Sequence, residues 1–203
     1  MKRENGKGTR GMRIRIGLLT ALVLCLLATA AFAGYGNYGN SYGSMGYTTT
    51  TARLTDDLAT RTGPSTNFTG AGSYKMKGQT VTVISRSYDR GGVLWVEIEF
   101  RHGGGYRRAW TGAKRLNLSS GQIRNLAEWD SFAYHGAGTI NNRVSPRFGP
   151  GSWFSTYGDR DYFRGDRVTV IDEADGYYEV ESYHTDGHIL RCWVPSSYVT
   201  LDW

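Results

Sequence analysis

Cys192 and the four histidines, His102, His135, His184 and His188, are the residues with the most reactive side chains in this 203-residue chain. A Cys/His hydrolase needs an exposed thiolate, commonly at a helix N-terminus beside a basic group. Cys192 instead sits inside the strand-like run ILRCWV, next to Trp193, which predicts a small buried filler. His184-Thr185-Asp186-Gly187-His188 spaces two imidazoles around a carboxylate. That spacing serves a metal when a helix carries it, and here the sequence writes a polar turn. Asp172, Glu173, Asp175, Glu179 and Glu181 crowd together, but a glycosidase holds one carboxyl of its pair in an apolar pocket. Their placement in a turn and on the alternate face of a strand predicts a solvated cluster. Ser41 lies in a Gly-x-Ser-x-Gly match, Gly39 to Gly43, without the strand and helix that make a nucleophile elbow. Arg101, Arg107, Arg108, Lys114 and Arg115, interleaved with Tyr106 and Trp110, offer a patch for anionic wall polymers or phosphate. The expectation is a chain with no catalytic residues, no metal site and no cofactor.

The ends of the chain narrow the setting. Lys2, Arg3, Lys7, Arg10, Arg13 and Arg15 precede an apolar run, GLLTALVLCLLATA, and Ala31-Phe32-Ala33 closes it. Basic n-region, apolar h-region and small-x-small site are the parts of a secretory signal peptide, expected over residues 1–33. Translation starts at Met1 or at Met12, which gives a tidier n-region. The apolar run falls short of the about 20 residues that span a bilayer, so no membrane association is expected after cleavage. Residues 34–51 open as GYGNYGNSYGSMGY, too poor in aliphatic side chains to offset backbone entropy, and are expected to form a disordered linker.

Without residues 1–33 the chain keeps 18 basic and 17 acidic residues, so the high isoelectric point reflects the leader and gives no support to nucleic-acid binding. Residues 52–117 hold 11 bases and 5 acids, whereas residues 138–203 hold 6 bases and 10 acids. This asymmetry predicts loose, salt-sensitive docking between two halves through surface charge. Only Cys192 remains after Cys25 leaves, so no intrachain disulfide is expected and a zinc site with two cysteines is excluded.

The elements that must position these residues are short strands between glycine-rich turns, written twice. KGQTVTVI at 77–84 returns as RGDRVTVI at 164–171. Gly63-Pro64 answers Gly149-Pro150, WVEIEF at 95–100 answers YYEVES at 177–182, and Ala109-Trp110 answers Cys192-Trp193. Val81 and Val83 alternate with Thr80 and Thr82, the period-2 pattern of a half-buried strand. His102 to Gly105 reads as a hairpin turn, and Ile123 to Ala127 as a helical turn within a connector. Arg164-Gly165-Asp166 would suggest integrin binding. Its counterpart is Lys77-Gly78-Gln79, so the fold's need for a glycine at a turn into a strand explains it better. Two copies of five or so strands predict an all-β chain: two small SH3-like β-barrels in tandem at 52–117 and 138–203, joined by a linker at 118–137. Trp95, Trp110, Tyr177 and Trp193 are expected at their centres.

LATRTGPSTNF, then a K-G-x-x-V-x-V-I strand, WVEIEF and a closing AWTGAKRL, resembles a bacterial SH3 (SH3b) domain. RGDRVTVI and WVPSSYV give the second copy a weaker resemblance, and Val144-Ser145-Pro146-Arg147 departs from the family's usual N-V-R-x-G-P. The resemblance implies partly open barrels on an exported, non-enzymatic protein that binds cell-wall peptides or glycans, or a surface protein. Carried onto this chain, with the basic patch, it nominates Trp95, Tyr106, Arg107, Arg108, Trp110, Tyr177, Tyr178 and Trp193 as ligand-binding residues. The alternatives are a scaffold or regulatory accessory of a separate cell-wall hydrolase, or a cryptic Cys/His hydrolase. Mass spectrometry of the exported protein is expected to find an N-terminus at or near Gly34; retention of residues 1–33 in a membrane fraction would contradict the leader.

Overall fold

The computed structural model describes residues 48–129, 136–158 and 160–202; the expected signal peptide and most of the Gly/Tyr-rich tract lie outside them. Two largely antiparallel sheets make up the fold. The first is built from β1 (Thr50–Arg53), β2 (Leu58–Arg61), β3 (Gly70–Tyr74), β4 (Thr80–Tyr88), β5 (Leu94–His102) and β6 (Gly105–Gly112), in the order β1-β4-β5-β6-β2-β3. The second holds β8 (Gly136–Ile140), β9 (Arg167–Ala174), β10 (Tyr177–Tyr183), β11 (Ile189–Pro195) and β12 (Val199–Asp202), in the order β11-β10-β9-β8-β12. The described residues are therefore all-β apart from short helical turns.

Repeated sequence gives repeated structure. Strands β4, β5 and β6 form one meander, and β9, β10 and β11 form the other. Each meander is followed by a short 3-10 turn, Ala113–Arg115 and Ser196–Tyr198. The residues that compete as an integrin tripeptide settle into matching turns. Gly78 and Gly165 both take positive φ, 84° and 96°. Gly78 N–H donates to Leu54 carbonyl and Gly165 N–H to Ile140 carbonyl, each at 2.8 Å. The hairpin after β5 closes through Gly103 and Gly104, both left-handed, as a tight two-residue turn requires.

Part of the stretch expected to be a linker, Ala127–Glu128, belongs to the first sheet. Ser119 caps helix α1 (Ser120–Asn125) with its hydroxyl on the Gln122 N–H, and the Gln122 side chain reaches back to Ser119 N–H, a reciprocal capping box. Strand β7 (Ala127–Glu128) then pairs in parallel with β4. Leu126 is fully buried and Trp129 nearly so.

The two sheets meet through reciprocal contacts rather than through loose surface charge. Thr69 N–H donates to Ile189 carbonyl, and Ile189 N–H donates to Asn67 carbonyl. At the matching positions of the other copy, Ser155 N–H donates to Tyr106 carbonyl and Tyr106 N–H to Trp153 carbonyl. The Arg191 guanidinium lies 4.8 Å from the Phe68 ring centre, and that of Arg108 lies 5.3 Å from Phe154. Each half thus lends a ring and an arginine to the other, in the manner of a dimer related by a two-fold axis. Trp95, Trp110, Trp129 and Ile171 form a separate apolar cluster at this level.

Gly63 and Gly149 are the glycines on which this arrangement rests. A Cβ on either would fall inside the ring of Phe68 or Phe154 respectively. Gly149→Ala is therefore expected to destabilise the protein by roughly 1–3 kcal/mol, as overpacking does. Gly112, with φ −63° and nothing within 4 Å of a Cβ, is the control. Urea unfolding should leave Gly112→Ala near wild type.

Candidate ligand groove where the two halves meet

The eight residues nominated from sequence are mostly interior. Trp95, Arg108, Trp110 and Trp193 are buried, Trp110 to 2% exposure. Tyr106, Arg107, Tyr177 and Tyr178 are half-buried. Trp95 and Trp110 join the cluster between the halves, while Arg107 stacks 4.4 Å from the Phe148 ring centre and donates to the Tyr74 hydroxyl at 2.7 Å. The structure brings Tyr106 and Arg108 to the junction. None of the eight lines the groove formed by the loop after β2 and the turn between β4 and β5.

That groove has a volume of about 830 Å³, within the usual range for a binding cleft. One wall is the loop after β2, Pro64 to Phe68, and the other is the turn between β4 and β5, Ser87 to Gly91. Glu128 and Trp129 close one side, and Glu181, Ile189 and Arg191 come from the second half. Both halves are therefore needed to build it.

Local sequence explains each wall. Asp89 holds its turn by accepting from Gly91 N–H and Val93 N–H, both at 2.9 Å, and from the Trp95 indole N–H at 3.0 Å. That indole bond, with the Val93 and Gly91 amides, keeps the Asp89 carboxyl below the usual carboxylate range. Ser65 hydroxyl accepts from Asn67 N–H at 3.1 Å and bends the opposite loop. Tyr88 projects from the end of β4 with 52% exposure. Arg191 anchors the floor: its Nε donates to Glu181 at 2.9 Å, and its guanidinium lies 3.9 Å from the Trp129 ring centre, a desolvated cation–π contact.

Beneath the groove lies a buried set of charges. Glu97 from β5 and Glu179 from β10 are both enclosed, with Asp172, Arg108 and Arg191 around them. Ser85 hydroxyl donates to Glu97 at 3.0 Å. Burial pushes the Glu97 carboxyl up, opposed chiefly by Arg108. Burial pushes Glu179 further up, opposed by Arg191 and reinforced by Glu97, Asp172 and Glu181. This corrects the expectation of a solvated carboxylate cluster for Glu179 and Asp172. The alternating pattern does place them on the second face of the sheet, but the other half of the chain covers that face.

Cys192 is buried, and its burial raises the thiol pKa to about 12. Asp186 Oδ1 lies 3.0 Å from His184 Nδ1 and 3.4 Å from His188 Nδ1 inside the β10–β11 turn. There Asp186 also accepts the His188 N–H, so its carboxylate serves to shape the turn.

Trp129, Phe68, Tyr88 and Arg191 are the groove residues that sequence reasoning passed over. Phe68 had a signal: it lies as far beyond Gly63 as Phe154 lies beyond Gly149. Trp129 was hidden in a stretch read as connector. No family model, curated protein or solved structure matches the chain.

A raised folded-state pKa on Glu179 sets the sign of a pH effect. Its contribution to stability is present below the ordinary glutamate value of 4.5 and is lost as pH rises through the raised value. Glutamine at 179 cannot ionise, so Glu179→Gln should gain stability relative to wild type as pH rises from 4 to 8. Urea unfolding at the two pH values would read this gain.

Proposed function

We propose that this chain is a secreted, non-enzymatic binding protein whose two SH3-like domains act as one body. Its ligand is a component of the cell wall or surface, held in the groove between the Pro64–Phe68 loop and the Ser87–Gly91 turn. The observation that carries this reading is the groove itself. It is wide, polar at its walls, backed by aromatic rings, and assembled from both halves, as a recognition site shaped by the duplication would be. Supporting it are the all-β architecture, the matched turns of the two copies and the leader-like sequence at residues 1–33.

The enzyme alternative fares worse on chemistry. A thiol pushed up to about 12 is almost wholly protonated at neutral pH and a poor nucleophile. A scaffold or accessory role for a separate wall hydrolase uses the same groove with a protein as its occupant. Sedimentation of the protein with purified peptidoglycan sacculi tests the reading. Wild type is expected in the pellet, and Tyr88→Ala is expected to lose at least about fivefold in affinity, the scale of one exposed aromatic contact. Wild type left in the supernatant would overturn the proposal.

A further inference from the structure

The charged groups that line the groove are largely committed to one another. Asp89 is taken up by Trp95, Gly91 and Val93. Glu128 pairs with Arg86 at 3.0 Å, and Glu181 pairs with Arg191. With Arg86 and Arg90 counted, these three carboxylates face three guanidiniums, so among the described residues the groove has little net charge to attract a cationic peptide. An anionic polymer is no better served, because three carboxylates line the groove against two guanidiniums, and only that of Arg90 lacks an ion pair among the described residues.

What the groove does offer is neutral hydrogen-bonding capacity. Thr66, Asn67, Ser87 and Tyr88 all line it, and among the described residues the Thr66 hydroxyl, the Asn67 side-chain amide, the Ser87 hydroxyl and the Tyr88 phenol have no hydrogen-bond partner. Together they supply both donors and acceptors. The Tyr88 ring stands exposed beside them, and an aromatic face of that kind packs against an apolar C–H surface while its hydroxyl stays wet.

Resting on the reading of the groove as a wall-ligand site, we infer that its occupant is a neutral, hydroxyl-rich glycan chain rather than a peptide or an anionic polymer. Sugar hydroxyls match the uncommitted amide and hydroxyls, and a pyranose C–H face matches Tyr88. Groove volume admits an oligosaccharide, since about 830 Å³ exceeds the volume of one sugar ring several times over. Because recognition does not draw on net charge, binding should be nearly independent of salt, unlike binding carried by exposed ion pairs.

The test uses the full exported chain and three probes: intact sacculi, glycan strands freed of peptide by an amidase with the lactyl carboxyl this exposes converted to its neutral amide, and the released stem peptides. Titration of tryptophan fluorescence with the N-acetylglucosamine hexamer gives a soluble measure. The expected result is retention on peptide-free strands equal to that on sacculi within about twofold. Hexamer affinity should change less than twofold between 0.05 and 0.5 M salt, and Tyr88→Ala and Asn67→Ala should each weaken it about fivefold or more. Circular dichroism of both exposed-site variants should match wild type. Binding to sacculi and stem peptides but not to bare strands overturns the glycan assignment and leaves the wall-binding reading standing. Failure to bind sacculi at all overturns both. Binding to strands that Tyr88→Ala and Asn67→Ala leave intact places the glycan elsewhere and overturns the assignment to this groove.

Discussion

The structure depends on one reciprocal contact. An aromatic ring from each half lies over an arginine of the other, Phe68 with Arg191 and Phe154 with Arg108. Each ring is fixed by a glycine whose missing side chain leaves it room, and each arginine is fixed by a carboxylate on its own sheet, Glu181 and Glu99. Five backbone hydrogen bonds between the halves then follow, the fifth from Arg108 N–H to Phe148 carbonyl. The groove, the buried glutamates and the tryptophan cluster all lie between surfaces that this contact holds together. An arginine is suited to the task because its planar head stacks on a ring while its edge donates to a carboxylate.

The buried charges show how such an interface differs from a core. Burying a carboxylate is costly unless partners compensate, and Glu97 and Glu179 are compensated only in part. Apolar residues in their place would hold the halves together at least as well. What the ionic set adds is selectivity of docking, since a half displaced by one strand position would carry Arg108 and Arg191 away from the rings of Phe154 and Phe68. The stacked arginines and paired glutamates therefore fix the angle at which the two groove walls face each other.

Much of the fold was legible in the sequence for local reasons. Period-2 alternation found β4 and β5, the glycine run found the hairpin after His102, and repetition found the turn at Gly78 and Gly165. These features depend on neighbours a few residues away. The candidate site was less legible because it depends on what covers a face, and alternation says only which residues share one. Glu179 and Tyr178 sit on opposite faces of β10, yet sequence gives no sign that the glutamate's side is roofed by another sheet. Trp129 was lost for a related reason. A short parallel pairing between β7 and β4 leaves no periodic trace in two residues, so a structural strand reads as connector.

The span of the inter-half contacts bears on how the protein reaches this state. Thr69 bonds to a residue 120 positions later in the chain, and Phe68 waits for Arg191. Contacts that close so long a loop form late, and proteins dominated by them fold slowly. During synthesis the first half emerges with Trp110, Phe68 and the Glu97 face uncovered. For that interval it presents an apolar, unpaired surface of the kind that invites aggregation. A second molecule at the same stage carries matching rings and arginines, because the two copies descend from one pattern. The repetition behind the groove thus also supplies a wrong partner, and rapid arrival of the second half is what separates a correctly folded chain from an entangled pair.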